Sequence, residues 1–179
     1  MRFIYLDIEN TIIDDLVNCN FLDENCAKIK RFIKEKPIQT LSFFTWGWKT
    51  KEEVDINIVN SMLIKLGKDP LNIGCSCRVF PKSFSVRSAI AAGWLAEEDF
   101  DRAIEPGMMA EFGISKLSCF VDLFSRTITE THLNAGEHKA TIQDPLEVWL
   151  VDDLVEEKEV TELHGGRLKI ILINPKDLP

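Results

Sequence analysis

Short runs of apolar residues alternate along the chain with segments whose apolar residues recur every three or four positions. The runs predict buried strands, and the helical spacing predicts amphipathic helices. The predicted strands are residues 2–6, 38–44, 77–80, 147–153 and 168–175. The predicted helices are residues 23–35, 51–66, 84–92, 96–104, 116–126 and 155–164. Residues 128–145 have no clear period and predict a loop.

This alternation predicts a mainly parallel sheet with helices on both faces, a Rossmann-like three-layer α/β architecture. The 179 residues are near the usual length of one domain. They contain no internal repeat, linker or low-complexity segment, so we expect a single domain over residues 1–179. A hydrophobic fraction of 45% and a charged fraction of 28% are typical of a globular protein rather than a disordered one.

The net charge of −8 is distributed unevenly, with fifteen acids and eight bases in residues 101–179. A protein that binds nucleic acid without sequence preference needs clustered Lys and Arg, so the charge argues against a broad nucleic-acid-binding patch. It does not exclude a small phosphate ester held through a metal ion, because a bound cation reverses the local electrostatics.

The chain has no run of about 18 apolar residues that predicts a membrane span. The first apolar run reaches an acid at Asp7 before it attains the length of a signal segment. The five cysteines are an odd number without a regular framework, and Cys75 and Cys77 lack the spacing of a zinc knuckle or redox pair. We therefore expect reduced thiols and a soluble, cytoplasmic protein.

Acidic residues follow two of the predicted strands. Asp7 and Glu9 follow the run RFIYL, and Asp152 and Asp153 follow the run EVWLV. Ligands of open α/β sheets bind beyond the carboxyl ends of the strands, and carboxylates gathered there repel one another unless a hard cation lies between them. The sequence predicts a Mg²⁺ site formed by these four acids. The alternative for Asp152 and Asp153 is a helix N-cap with a solvated neighbour.

The segment FIYLDIENTIID, residues 3–14, resembles the first motif, DxDxT, of the haloacid dehalogenase (HAD) superfamily of phosphatases and phosphotransferases. Thr45, after the run TLSFF, is similar to the Thr or Ser of the second motif, with Ser42 as an alternative. Lys116 is similar to the lysine of the third motif, with Lys82 as a rival. The segment VWLVDD resembles the fourth motif, and ELHGGRLKIILINP resembles the helix, glycine and strand that follow it. The motif order is that of the family over nearly the whole chain.

The resemblance implies an HAD-type fold and a Mg²⁺-dependent phosphomonoester hydrolase or phosphotransferase. Asp7 would be the nucleophile that forms an aspartyl-phosphate. The residue two positions on, here Glu9, would protonate the leaving group and then activate water. Mg²⁺ would be held by Asp7, the backbone carbonyl of Glu9 and Asp152. Asp153 would contact these ligands rather than the metal ion, or would bind it through water. Thr45 and Lys116 would hold the phosphoryl group.

Glu9 departs from the family, which has Asp at this position. Glutamate is longer by one methylene, about 1.5 Å, and a misplacement near 1 Å can lower a rate on the order of a hundredfold. The alternative is therefore a weak or inactive HAD-fold protein that serves in binding or regulation. Residues 12–40 and 46–115 leave no room for a large cap domain. An open site of this kind suits a phosphorylated small molecule or the phosphate end of a macromolecule.

The segment DIENT also resembles the first motif of DEDD-type 3′–5′ exonucleases, whose D-x-E pair binds two metal ions. That family needs further acids, one of them usually five residues after a His or four after a Tyr, whereas Asp144 lies six positions after His138. PIN-like and NYN-like nucleases are a lesser form of this alternative. A metal-dependent nuclease is thus the second enzymatic hypothesis.

Overall fold

The computed structural model describes residues 2–35, 40–70, 79–128 and 146–179. Within these ranges, six strands form one sheet, accompanied by six α-helices. The strands are β1 (Arg2–Leu6), β2 (Thr40–Phe44), β3 (Val79–Phe80), β4 (Leu146–Val151), β5 (Glu159–Leu163) and β6 (Leu168–Ile173). The helices are α1 (Asp23–Glu35), α2 (Ile56–Lys65), α3 (Lys82–Ala91), α4 (Phe100–Ala103), α5 (Met108–Glu111) and α6 (Lys116–Ile128).

The sheet has the strand order β3-β2-β1-β4-β6-β5 and is mainly parallel. Strand β1 pairs in parallel with both β2 and β4, and β4 pairs in parallel with β6. Among the strands of the described residues, only β5 runs antiparallel, at the edge beside β6. The prediction of an α/β fold with a mainly parallel sheet is confirmed, and the architecture is compatible with a Rossmann-like fold.

Side chains of the central strands alternate between two apolar layers because successive residues of a strand point to opposite faces. Ile4 and Leu6 belong to the layer that contains α1 and α2, whereas Tyr5 belongs to the layer of α6, where it contacts Phe120 and Phe124. The sheet is therefore covered on both faces, which explains why its strands are continuous apolar runs.

The predicted helix over residues 155–164 is wrong, because residues 159–163 form strand β5. Two of its acids, Glu159 and Glu162, lie on this edge strand and are exposed, and Glu156 and Glu157 precede it. The turn into β6 contains His164, Gly165 and Gly166, all with positive φ, and this hairpin returns the chain antiparallel to β6. Glu162 lies opposite Lys169, with 2.6 Å between Oε1 and Nζ. The helix expected after the fourth motif is thus absent from the described residues 154–165.

Other boundaries differ by a few residues. Helix α2 begins at Ile56 rather than at residue 51, because the Asp55 side chain caps it by accepting a hydrogen bond from the Asn57 amide, at 2.8 Å. The predicted helix over 96–104 divides into a 3₁₀ turn, Glu97–Asp99, and α4.

Several sequence predictions lie outside the described residues. These are the first residues of the second and third predicted strands, the loop beyond Ile128, the pair Cys75 and Cys77, and the pair His138 and Asp144. Within the described ranges, no helix combines the length and the apolar character that a membrane crossing requires.

The carboxyl ends of β1, β2 and β4 lie side by side. Leu6, the last residue of β1, is in register with Phe43 of β2 and with Val151 of β4. The chain proceeds from β1 to β2 on one side and returns to β4 on the other, so the topological switch point lies between β1 and β4. This is where open α/β sheets bind their ligands.

Candidate active site

Three carboxylates meet at the switch point. One ligand oxygen from each of Asp7, Asp152 and Asp153 lies within 4.8 Å of the others. Sheet hydrogen bonding continues one residue beyond β1 and β4 and fixes the backbones of Asp7 and Asp152. The Asp7 amide donates to the Val151 carbonyl at 2.9 Å, and the Asp152 amide donates to the Ile173 carbonyl at 3.1 Å. The structure therefore brings together the two acidic segments that the sequence places far apart.

Lys116 lies between two of these carboxylates. Its Nζ is 2.5 Å from Asp7 Oδ1 and 2.8 Å from Asp152 Oδ2. All three side chains are buried, and that of Asp152 is 0% exposed. Lys116 is the first residue of α6, and Ser115 caps the helix by accepting a hydrogen bond from the Ser118 amide at 3.0 Å. Helix capping thus positions the ammonium group over the end of the sheet.

Lys82 is also buried, at the start of α3, but it lies among other partners. Its Nζ donates a hydrogen bond to the backbone carbonyl of Glu105 and lies 5.6 Å from the centre of the Trp46 ring. Of the two lysines that the sequence leaves as candidates, Lys116 is the one in contact with Asp7.

The acids are electrostatically crowded despite the lysine. Burial raises the pKa of Asp7 to about 7, and the Asp152 charge adds to this effect while Lys116 opposes it. Burial also opposes the charge of Lys116, but the neighbouring Asp7 and Asp152 outweigh it and raise the pKa of the ammonium group. Burial, followed by the Asp152 charge, raises the pKa of the half-buried Asp153. A further cation would relieve this repulsion.

The donor set fits Mg²⁺. Three ionised carboxylates and one ammonium group carry two excess negative charges, which a divalent cation would neutralise. Asp152 Oδ2 is buried and accepts no well-aligned hydrogen bond, although it lies 2.8 Å from the Lys116 ammonium group. Ligands on opposite sides of an octahedral Mg²⁺ are about 4 Å apart, and the three oxygens lie within 4.8 Å of one another.

Asp152 is not a helix N-cap. Its Oδ1 accepts a hydrogen bond from the Leu154 amide at 2.9 Å, which makes a local turn, and the next regular element is β5. This turn leaves Oδ2 directed at the shared site, which the capping alternative does not explain.

Two residues without a predicted role hold the acidic loops together. Thr11 is 0% exposed, and its Oγ1 accepts a hydrogen bond from the Asp153 amide at 3.1 Å. The Asn174 side chain donates to the carbonyls of Asp153, at 3.0 Å, and Val155, at 2.9 Å. Thr11 could have been found as the threonine of the first motif. The sequence offers only one indication of a role for Asn174, which is its position as a polar residue between the last apolar run and Pro175.

Thr45 follows β2 and is 1% exposed. Its amide donates to the Phe80 carbonyl at 3.1 Å, and its Oγ1 accepts from the Gly47 amide at 3.0 Å, which leaves the hydroxyl hydrogen to donate elsewhere. The alternative, Ser42, lies within β2 opposite Tyr5 and not at the end of the strand.

Glu9 is half-buried and does not join the group of three aspartates. Its carboxylate lies against Gly47 in the loop after β2, and its charge contributes to the raised pKa of Asp153. Of the four predicted metal ligands, the structure thus groups the side chains of Asp7, Asp152 and Asp153 and places that of Glu9 beside them.

Comparison of the chain with protein-family models, with curated proteins and with solved structures gives no match.

Proposed function

We propose that the protein is a Mg²⁺-dependent phosphomonoester hydrolase or phosphotransferase of the HAD type. The observation that carries the proposal is the buried ammonium group of Lys116, which lies between Asp7 and Asp152 at the switch point of the sheet, beside Asp153. A carboxylate nucleophile, a metal-binding carboxylate and a phosphate-binding cation are the groups that phosphoryl transfer through an aspartyl-phosphate requires.

The chemistry follows from these groups. A carboxylate oxygen of Asp7 attacks phosphorus, the ester P–O bond breaks, and the leaving oxygen takes a proton from Glu9. Glu9 then accepts a proton from water, which attacks phosphorus, and the bond between phosphorus and Asp7 breaks to release phosphate. In a phosphotransferase, an acceptor hydroxyl replaces the water. Lys116 and the Thr45 hydroxyl stabilise the charge on the phosphoryl oxygens.

Mg²⁺ bound by Asp7, Asp152 and Asp153 would neutralise charge on the phosphoryl group and on the attacking carboxylate. Lys116 also separates this proposal from the nuclease alternative. A two-metal site needs a second cation about 3.5–4 Å from the first, and the Lys116 ammonium group lies among the carboxylates that would have to bind it.

A second candidate is an HAD-fold protein with weak or no turnover that binds a phosphorylated partner. The observation that favours it is the longer side chain of Glu9, whose carboxylate lies against Gly47. In this case the site would bind Mg²⁺ and phosphate without releasing product at a measurable rate.

The test is hydrolysis of p-nitrophenyl phosphate with and without Mg²⁺, with Asp7→Asn as the matched control. We expect Mg²⁺-dependent release of nitrophenol by the wild type and a loss of at least a hundredfold in the variant. Equal rates in both proteins would reject the enzyme proposal, and Mg²⁺ binding without turnover would favour the second candidate. End-labelled single-stranded RNA and DNA provide the nuclease assay, in which shortening of the strand without free phosphate would favour that alternative.

A further inference from the structure

Gly47 lies against Glu9, the residue at which the sequence departs from the family it resembles. A Cβ atom added at Gly47 would lie 2.6 Å from Oε2 of Glu9 and 2.6 Å from Cδ1 of Leu16. Real Cβ atoms do not approach other heavy atoms this closely, so the two side chains occupy the space that a residue other than glycine would need.

Backbone conformation does not explain this glycine. Gly47 is not among the residues with positive φ, so an L-residue could adopt its backbone geometry without strain. Gly47 is also exposed, so burial in the core does not explain the glycine either. The space into which a side chain at position 47 would project is taken by the ends of Glu9 and Leu16.

Gly47 is in turn fixed relative to the end of β2. Its amide donates to Thr45 Oγ1 at 3.0 Å, and the Thr45 amide donates to the Phe80 carbonyl at 3.1 Å. The backbone of Glu9 is held on its own side by a bridge to Ile13. A continuous series of contacts therefore joins Thr45, Gly47 and the Glu9 carboxylate.

We infer that Gly47 is a positioning residue for Glu9. The glycine leaves room for the additional methylene of the glutamate and thereby fixes the Glu9 carboxylate beside the Thr45 turn. The inference rests on the proposed function, in which Glu9 exchanges protons with the leaving group and water. A methyl group at position 47 displaces the Glu9 carboxylate, because both obstructing atoms are the ends of flexible side chains and move more easily than the backbone. An aspartate at position 9 ends about 1.5 Å earlier and leaves room for that methyl group.

The test compares four proteins: the wild type, Gly47→Ala, Glu9→Asp and the double variant Glu9→Asp/Gly47→Ala. With p-nitrophenyl phosphate and Mg²⁺, we expect Gly47→Ala to lower kcat about 10–100-fold with little change in KM. In the aspartate background, the same substitution changes kcat by less than about threefold, because the obstructing carboxylate has withdrawn.

The double variant Leu16→Ala/Gly47→Ala separates the two contacts. We expect it to retain the loss seen for Gly47→Ala, since the clash with Glu9 remains; recovery of kcat would assign the effect to Leu16 and overturn the inference. Crystal structures of the wild type and of Gly47→Ala provide a readout that does not depend on turnover. They should show the Glu9 carboxylate displaced by about 1 Å or more, and an unmoved carboxylate would refute the inference.

The two hypotheses fail in different ways. A wild type that does not hydrolyse the ester rejects the proposed function, and the pair of crystal structures still decides whether Gly47 sets the position of Glu9. An active wild type rejects the inference alone if Gly47→Ala retains full kcat, or if Gly47→Ala is equally harmful when residue 9 is aspartate.

Discussion

Replacing Lys116 by methionine leaves two buried carboxylates without the ammonium group that they share. Lys116 Nζ lies 2.5 Å from Asp7 Oδ1 and 2.8 Å from Asp152 Oδ2, and the side chains of the three residues are 5%, 7% and 0% exposed, respectively. Removal of one partner from a buried ion pair costs about 3–5 kcal/mol. For a protein of this size, that free energy lowers Tm by roughly 6–20 °C.

The loss depends on pH in a defined direction. Burial raises the pKa of Asp7 to about 7 from an ordinary value of 3.8, and Lys116 restrains this rise. Without Lys116 the pKa lies higher still, so folding disfavours the ionised carboxylate over a wider pH range. When the pKa of a carboxyl group is higher in the folded than in the unfolded protein, its contribution to stability is greatest below the unfolded pKa. That contribution is lost as pH rises to the folded pKa. The loss of stability in Lys116→Met, relative to the wild type, is therefore smaller at pH 5 than at pH 8.

Thermal unfolding at pH 5 and pH 8, with and without Mg²⁺, measures both effects. Mg²⁺ should raise the Tm of Lys116→Met at pH 8 more than that of the wild type, because the metal ion takes over part of the charge compensation. Lys82→Met is the matched control, since Lys82 is an equally buried lysine at a helix start that donates to the Glu105 carbonyl. The loss of stability in Lys82→Met should not depend on Mg²⁺, and it should be the same at pH 5 and pH 8. A Lys116→Met protein as stable as the wild type at pH 8, or with the same deficit at both pH values, would refute the reasoning.

Three further predictions concern single groups. Asp7→Asn should gain in Tm relative to the wild type between pH 5 and pH 8 in the absence of metal, because the raised pKa of Asp7 makes the wild type lose stability as pH rises toward 7; a difference in Tm that is the same at both pH values would contradict this. Thr11→Val should cost about 1–3 kcal/mol and weaken Mg²⁺ binding in calorimetry, because the Asp153 amide loses its acceptor, whereas Thr11→Ser should retain both. Asp55→Ala should cost about 1 kcal/mol in chemical unfolding through loss of the α2 cap, and Asp55→Asn should not.

The central strands and the acids at their carboxyl ends are predictable from local sequence. β1 and β4 are uninterrupted apolar runs, and Asp7 and Asp152 follow them directly. Parallel strands end at the same edge of a sheet, so two such runs imply neighbouring carboxylates once the strands are adjacent. The alternation of elements predicts the parallel sheet, whereas the adjacency of β1 and β4 is a property of the fold.

Strand β5 is not predictable in this way because only one side of it is covered. Thr161 and Leu163 are half-buried while their neighbours are exposed, so the apolar signal is too weak to outweigh the acids around it. The two glycines of the turn were the available indication of a hairpin.

Two features of the site depend on tertiary contacts alone. Lys82 and Lys116 both begin buried helices, and only the position of each helix on the sheet decides which ammonium group meets Asp7. The direction of Glu9 depends on Gly47 and Leu16, which belong to other turns of the chain. A motif states which residue types are present, whereas these contacts decide where the side chains point.

The most direct test of the account is a crystal structure of the protein soaked with Mn²⁺, a Mg²⁺ substitute that can be located by anomalous diffraction. We expect one anomalous peak about 2 Å from carboxylate oxygens of both Asp7 and Asp152, with Asp153 nearby. Loss of the peak in Asp152→Asn would be the matching control. Manganese bound only at other positions, with Asp7 and Asp152 making no contact to it at saturating concentration, would contradict the claim that these acids share a cation.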